Sequence, residues 1–180
     1  MSIAIAVNLV SYNHAWPRMA AQFSKQLGVL GELLTEVHHI GSTSVPGLTA
    51  KPVIDLMPLV SDLAELDRKQ ADVEAIGYGW HGEYGVDGRR FCTLADPGGT
   101  RIAQLHFYEY ASPHAKRQIA FRDYLRAFPD VAGAYAIEKH RACALFPHDS
   151  TAYSKEKGAW IQRVEKKALA WSVGEPALGW

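Results

Sequence analysis

Gly41-Ser42-Thr43-Ser44, followed by Pro46-Gly47, is a run of small, polar, turn-forming residues whose backbone N–H and hydroxyl groups can face a ligand. Further on, Pro52-Val53-Ile54-Asp55-Leu56-Met57 is an apolar run of strand length that carries one acid, Asp55. A carboxylate buried there without a partner costs several kcal/mol. Asp55 therefore reaches a sheet edge or end, holds a cation, or pairs with a base such as Lys51. If the turn opens a helix, its amides can bind an anion, and Ser42, Thr43 and Ser44 suit that task. An ordinary capped helix start would use the same residues.

Lys51, Arg89, Arg90, Arg122 and Arg126 are the basic candidates. Arg122 and Arg126 are four apart, hence on one helix face, and arginine grips phosphate with a two-pronged fork. A solvated stripe reads the same way. Taken with the turn, these bases predict a phosphorylated small molecule as ligand. His106, between Leu105 and Phe107, suits a metal ligand or general base, or a hydrogen-bonded core residue. His39 carries the same two readings. By composition alone Glu83 is a surface glutamate in a glycine-rich loop. No Cys/His spacing argues for structural zinc.

The elements that must position these groups follow from the pattern. Residues 3–10 suggest an edge strand. Trp16, Ala20, Phe23, Leu27, Leu30 and Leu34 form one stripe of a helix with Pro17 in its first turn. Residues 36–40 then predict a strand ending at Gly41. Asp62 caps a helix that closes at Gly77. Residues 77–88 form a loop with a local strand. Residues 89–95 and 100–110 are two strands joined by the turn Asp96-Pro97-Gly98-Gly99. From Ser112 the pattern is helical: one helix to Pro129, a second over residues 131–145, and a third capped by Ser150 and running to Trp171. Residues 172–180 are a tail. The expected organisation is one domain over residues 1–171, a sheet-rich core (1–111) and a helical part (112–171).

With 180 residues the chain buries about 70% of its unfolded surface and needs no disulfide staple. Cys92 and Cys143 stand alone, as reduced thiols of a cytoplasmic protein would. Zero formal net charge and a pI of about 7.1 give no whole-surface grip on nucleic acid, which is not an expected partner. No apolar run approaches the roughly 20 residues of a membrane helix. Oligomeric state is left open.

Residues 39–56 resemble the GrpB family, whose signature looks like HiGST-(A/S)-VPGL-xAKPxIDI. Trp16, the Gly82–Phe91 stretch, His106, the FRDYLR run beginning at Phe121, and Tyr135, Lys139, Lys155 and Trp160 match as well. The resemblance covers residues 7–171. It implies an α+β fold of the nucleotidyltransferase superfamily: a mixed sheet packed by helices, with further C-terminal helices. That superfamily carries Gly-Ser or Gly-Gly after a strand, then (D/E)-x-(D/E) on the next. Gly41-Ser42 and Asp55 fit, but Met57 stands where the second acid belongs.

The activity implied is transfer of a nucleoside monophosphate to a small acceptor. Asp55, Glu83 and His106 would hold Mg2+ or Mn2+ and serve catalysis, Glu83 supplying the second acid because it falls on a family motif. Gly41, Ser42, Thr43, Ser44, Lys51, Arg89, Arg90, Arg122 and Arg126 would face phosphate. Met57 favours the alternative of a nucleotide- or phosphate-binding protein without catalysis. A third reading, an interaction module built on the C-terminal helices, has Trp160, Trp171 and Trp180 in its support.

Overall fold

The computed structural model describes residues 6–174. Its sheet contains β1 (Leu34–Ile40), β2 (Ile54–Val60), β3 (Gly79–Trp80), β4 (Arg90–Ala95) and β5 (Arg101–Glu109), in the order β1-β2-β5-β4-β3. Only the β2–β5 pair is parallel; β1–β2, β4–β5 and β3–β4 are antiparallel. The acid-bearing run is thus an interior strand, and every residue of β2 except Asp55 is buried.

Strand alternation decides what each face carries. Ile54, Leu56 and Val60 of β2, with Ala103, Leu105 and Phe107 of β5, join the main core. Its other wall is α1 (Trp16–Gln26), a 3-10 segment (Leu27–Leu33), α2 (Leu63–Arg68) and α3 (Gln70–Ala75). Met57, Leu59 and Tyr108 pack on the opposite face, beneath Ala115 and Ile119 of α4 (Pro113–Ala127). By the same period of two, Asp55, Gln104 and His106 share that face. It is roofed by α4, α5 (Pro129–Leu145), α6 (Ser150–Glu156) and α7 (Gly158–Ser172). No helix among the described residues is long and apolar enough to cross a membrane.

Several boundaries differ from the sequence reading. Residues 3–5 of the expected first strand, and residues 175–180 of the tail, lie outside the described residues. Within residues 6–10 only Val10 pairs, in a single antiparallel bridge to Ala50. The helix capped by Asp62, whose carboxylate accepts the Glu65 N–H at 2.9 Å, breaks at Lys69 into α2 and α3. The last helix is two, broken at Lys157, and its cap is Asp149, which accepts the Thr151 and Ala152 N–H groups. Ser42–Ser44 makes one 3-10 turn with no α-helix behind it. The expected helix N-terminus is therefore absent, and positive potential at the turn comes from side chains.

Candidate ligand-binding site

Asp55 is the second residue of β2, directly opposite Ile40 of β1 and Gln104 of β5. Its Oδ1 accepts a hydrogen bond from the Gln104 amide and lies 3.3 Å from His106 Nε2. Its Oδ2 faces the turn: a methyl group at Gly41 would sit 2.5 Å from that oxygen. Gly41 also has φ +69°, so the chain requires glycine here for both conformation and close approach. Burial opposes ionisation of Asp55. The hydrogen bond and charge of His106, with help from Gln104 and Lys51, outweigh it and hold the carboxyl below its ordinary value.

Beside Asp55 lies a cavity of about 230 Å³ lined by Gly41, Ser42, Thr43, Lys51, Asp55, Arg101, Gln104, Phe121, Tyr135, Lys139, Tyr153, Ser154 and Lys157, with Ala50 and Val53. Four cationic side chains thus face one carboxylate. The three lysines are held in place by neutral groups. Lys139, buried on α5, donates to the Thr49 carbonyl and lies 4.8 Å from the Tyr135 ring centre. Lys157 sits 4.2 Å above the Tyr153 ring, and Lys51 donates to Ser150 Oγ at 3.2 Å. Cation–π contact supplies these ammonium groups with partners that do not cancel their charge.

Burial, with the Lys157 charge adding, pulls Lys139 down to about 7. Burial and the Lys51 charge bring Lys157 down to about 8, against the attraction of Asp55. Lys51 is lowered by burial, which Asp55 opposes and Arg101 reinforces. Burial raises the Tyr135 phenol, a hydrogen bond with Ser42 opposing it. An anion entering here would restore charge to lysines that the fold keeps short of it.

A second cavity of about 330 Å³ adjoins the first, sharing Gly41, Asp55, Gln104 and Phe121 with it. Its remaining wall is Ile40, Val86, Arg89, His106, Tyr108, Arg117, Gln118, Ile161 and Glu165. Arg117 and Glu165 are paired at 3.0 Å.

Several candidates from the sequence are engaged elsewhere. Glu83 accepts the Gly88 N–H at 2.9 Å and lies 3.6 Å from Arg90, because the glycine-rich loop curls back on itself. Among the described residues no three His, Cys, Asp or Glu side chains gather to hold a metal. Asp55, Glu83 and His106 accordingly do not form one ligand set. Arg90 forks onto Asp67 at 2.6 and 2.7 Å. Arg122 donates to Asp123 and to the His39 carbonyl, and Arg126 to the Ser44 carbonyl. Their stripe faces the turn, but its donors go to Asp123 and to backbone oxygens that clamp α4 to the turn, and the pair lines neither cavity. Arg89 borders the second cavity while donating to the Glu83 and Tyr84 carbonyls. Of the hydroxyl residues, Ser42 and Thr43 line the first cavity, whereas Ser44 donates back to the Gly41 carbonyl at 2.6 Å. Thr43 is bonded to His39 at 2.9 Å. Burial, opposed by Asp55 and aided by Arg126 and Arg122, lowers that imidazole to about 4, so His39 is neutral near pH 7.

Arg101, Tyr153 and Lys157 are the lining residues that sequence reasoning missed, with Tyr135 and Lys139 noticed only as part of a resemblance. Tyr135 and Lys139, four apart on α5, carried a readable signal. Lys157 carried none, since its place depends on the α6–α7 break. Lys155, two residues away, lines a different surface hollow.

Likeness to known proteins spans these elements. The family described as GrpB protein matches residues 6–167. The UPF0157 protein YqkA of Bacillus subtilis is 35% identical over 169 residues, taking in 93% of this chain and 49% of YqkA. The chain thus spans about half of that relative's length. A crystal structure of conserved protein GrpB from Enterococcus faecalis aligns with TM-score 0.86 and 34% identity, over 92% of this chain and 99% of that one. The Cid1 poly(U) polymerase with MgGTP bound aligns at TM-score 0.52 and 14% identity, over 73% of this chain and 44% of that one, a likeness of fold. The fold is therefore nucleotidyltransferase-like.

Proposed function

The chain belongs to the GrpB family, and from that premise we propose that its cation-lined cavity binds the phosphates of a nucleotide or similar phosphorylated small molecule. The observation that carries this reading is the placing of Lys51, Arg101, Lys139 and Lys157 around a single carboxylate, next to the Ser42 hydroxyl. Phosphate oxygens accept charge-assisted hydrogen bonds from ammonium and guanidinium donors. Phe121, Tyr135 and Tyr153 partly enclose the cavity, so each such bond is stronger than at an open surface. The two free cysteines accord with work in the cytoplasm.

Thermal unfolding with inorganic tripolyphosphate and with nucleoside triphosphates tests the proposal. Ligand at a hundred times its Kd should stabilise the protein by about 2.7 kcal/mol. The absence of any shift with every phosphate compound would overturn it.

A second reading, transfer of a nucleoside monophosphate to a small acceptor, has support in the fold likeness and in an Asp55 carboxyl kept ionised beside Ser42. Mg2+ or Mn2+ suits a single protein carboxylate when phosphate oxygens complete its shell, and it would neutralise charge on the phosphoryl oxygens. Asp55 is the residue that would hold it. With a divalent ion and a nucleotide panel, this reading expects pyrophosphate release that Asp55→Asn abolishes. Nucleotide binding without pyrophosphate release leaves the binding reading alone.

A further inference from the structure

We infer that the ligand is bipartite, and that the second cavity holds its nucleoside, with Asp55 accepting a hydrogen bond from a ribose hydroxyl at the boundary. This rests on the phosphate reading above and adds where the rest of the molecule goes.

Charge separates the two cavities. The first sets four cations against Asp55. The second sets Arg89 and Arg117 against Asp55 and Glu165, and both guanidinium groups are already engaged, Arg117 by Glu165 and Arg89 by backbone carbonyls. A polyanion therefore partitions into the first cavity, where cations outnumber the one carboxylate, while in the second the two guanidinium groups are matched by two carboxylates. What the second does offer is apolar wall, from Ile40, Val86 and Ile161, interrupted by the hydrogen-bonding groups of His106 and Gln118. That mixture suits a flat, neutral heterocycle with polar edges better than a lipid or a second phosphate chain. It is also the larger of the two spaces, about 330 against 230 Å³.

The boundary group fixes what must lie between the two parts. Asp55 is common to both cavities. Its Oδ1 is taken by Gln104 and His106, and Oδ2 accepts no hydrogen bond from the described residues. A carboxylate there repels phosphate oxygen but accepts strongly from O–H. A hydroxylated ring joining an anionic tail to a neutral head meets that requirement, as ribose does.

Titration calorimetry with tripolyphosphate and with ATP, GTP, CTP and UTP distinguishes the two levels of the claim. At least one nucleotide should bind tenfold or more tightly than tripolyphosphate, and its 2′-deoxy or 3′-deoxy form should lose most of that gain. Val86→Trp, which fills the second cavity, and Gln118→Leu, which keeps its volume but removes its hydrogen bonding, should each bring nucleotide affinity down towards that of tripolyphosphate. If tripolyphosphate binds as well as every nucleotide, or if neither variant narrows the gap, the nucleoside assignment is overturned while the phosphate cavity stands. If tripolyphosphate does not bind either, both fall together.

Discussion

The floor and the roof of the cavity are built on opposite principles. On the floor Asp55 is ionised because His106, Gln104 and Lys51 stabilise its charge more than burial opposes it. In the roof Lys139 and Lys157 are driven towards neutrality by burial, helped by the Lys157 charge at Lys139 and by the Lys51 charge at Lys157. The sheet thus carries a settled charge and the helices an unsettled one. A fold does not gain stability by crowding lysines into one cavity; such an arrangement makes physical sense when an anion arrives to pair with them.

Met57→Asp would restore the missing second acid of the strand, and it attacks the settled side hardest. Met57 is wholly buried between Ile40, Leu59, Tyr108 and Ala115. A carboxylate there has no donor, so a loss of more than about 4 kcal/mol is expected, read as a collapsed urea midpoint. A stable variant that gained Mn2+-dependent nucleotide binding would mean that the floor has room for a metal pair. Gly41→Ala comes next. It combines a positive φ with a contact 2.5 Å from Asp55 Oδ2, and about 3 kcal/mol of destabilisation is expected. In an Asp55→Gly background the contact portion disappears and only the conformational portion should remain. Equal losses in both backgrounds would show that Asp55 does not press on the turn.

How much of this was readable in the sequence follows the same division. That one strand ends at Gly41 and an acid-bearing strand follows was legible because pleat alternation and turn chemistry are local: a strand, a glycine and the next strand leave little freedom. The Asp96 turn and the Asp62 and Ser112 caps were legible for the same reason, whereas the order of the strands in the sheet, set by long-range pairing, was not. The roof was not. Lys157 looks like any solvated helix lysine until three helices enclose it, and the i, i+4 spacing of Tyr135 and Lys139 does not say what that face covers. Glu83 misled because proximity in a motif says nothing about where a curled loop aims its carboxylate. Arg122 and Arg126 misled differently: they share one helix face, but Asp123 and backbone carbonyls take up their donors.

Titration distinguishes floor from roof. Lys139 and Lys157 have folded-state pKa values of about 7 and about 8, against 10.5 for ordinary lysine. Below pH 7 both forms of the chain are protonated and the folded form bears the full electrostatic penalty. As pH rises the folded form releases its protons first, so the unfolded form binds more of them and stability increases. Between pH 7 and 9 the unliganded protein should therefore gain on the order of 2 kcal/mol in urea unfolding. Stabilisation by tripolyphosphate should shrink over the same interval, because the lysines it needs are losing charge. On the acid side His39, lowered to about 4, leaves the unfolded chain to take up a proton first, and stability should fall from pH 6.5 towards 4. Asp55 contributes in the same direction, its share being lost as pH drops through its depressed folded value. Unliganded stability that stays flat from pH 7 to 9 would remove the unsettled roof.

Lys157→Met is the smallest change and the sharpest test of the contrast. Lys157 makes ring contacts with Tyr153 and Tyr135 at 4.2 and 5.9 Å, and its aliphatic stem already fills the space that methionine would take. Removing the charge relieves its repulsion with Lys51 and Lys139, so unliganded stability should hold or rise slightly. The same change removes one of four cations facing the ligand, and tripolyphosphate affinity should drop about tenfold, or about 1.4 kcal/mol. The pH-dependent gain should also become shallower above pH 8, leaving the Lys139 portion, which sets in above 7 once the Lys157 charge no longer depresses that ammonium group. A residue that merely holds the α6–α7 break together would behave the other way, with stability lost and affinity unaltered. Opposite signs in the two measurements are what a ligand-facing lysine predicts, because its charge is a burden to the empty fold and an asset to the occupied one.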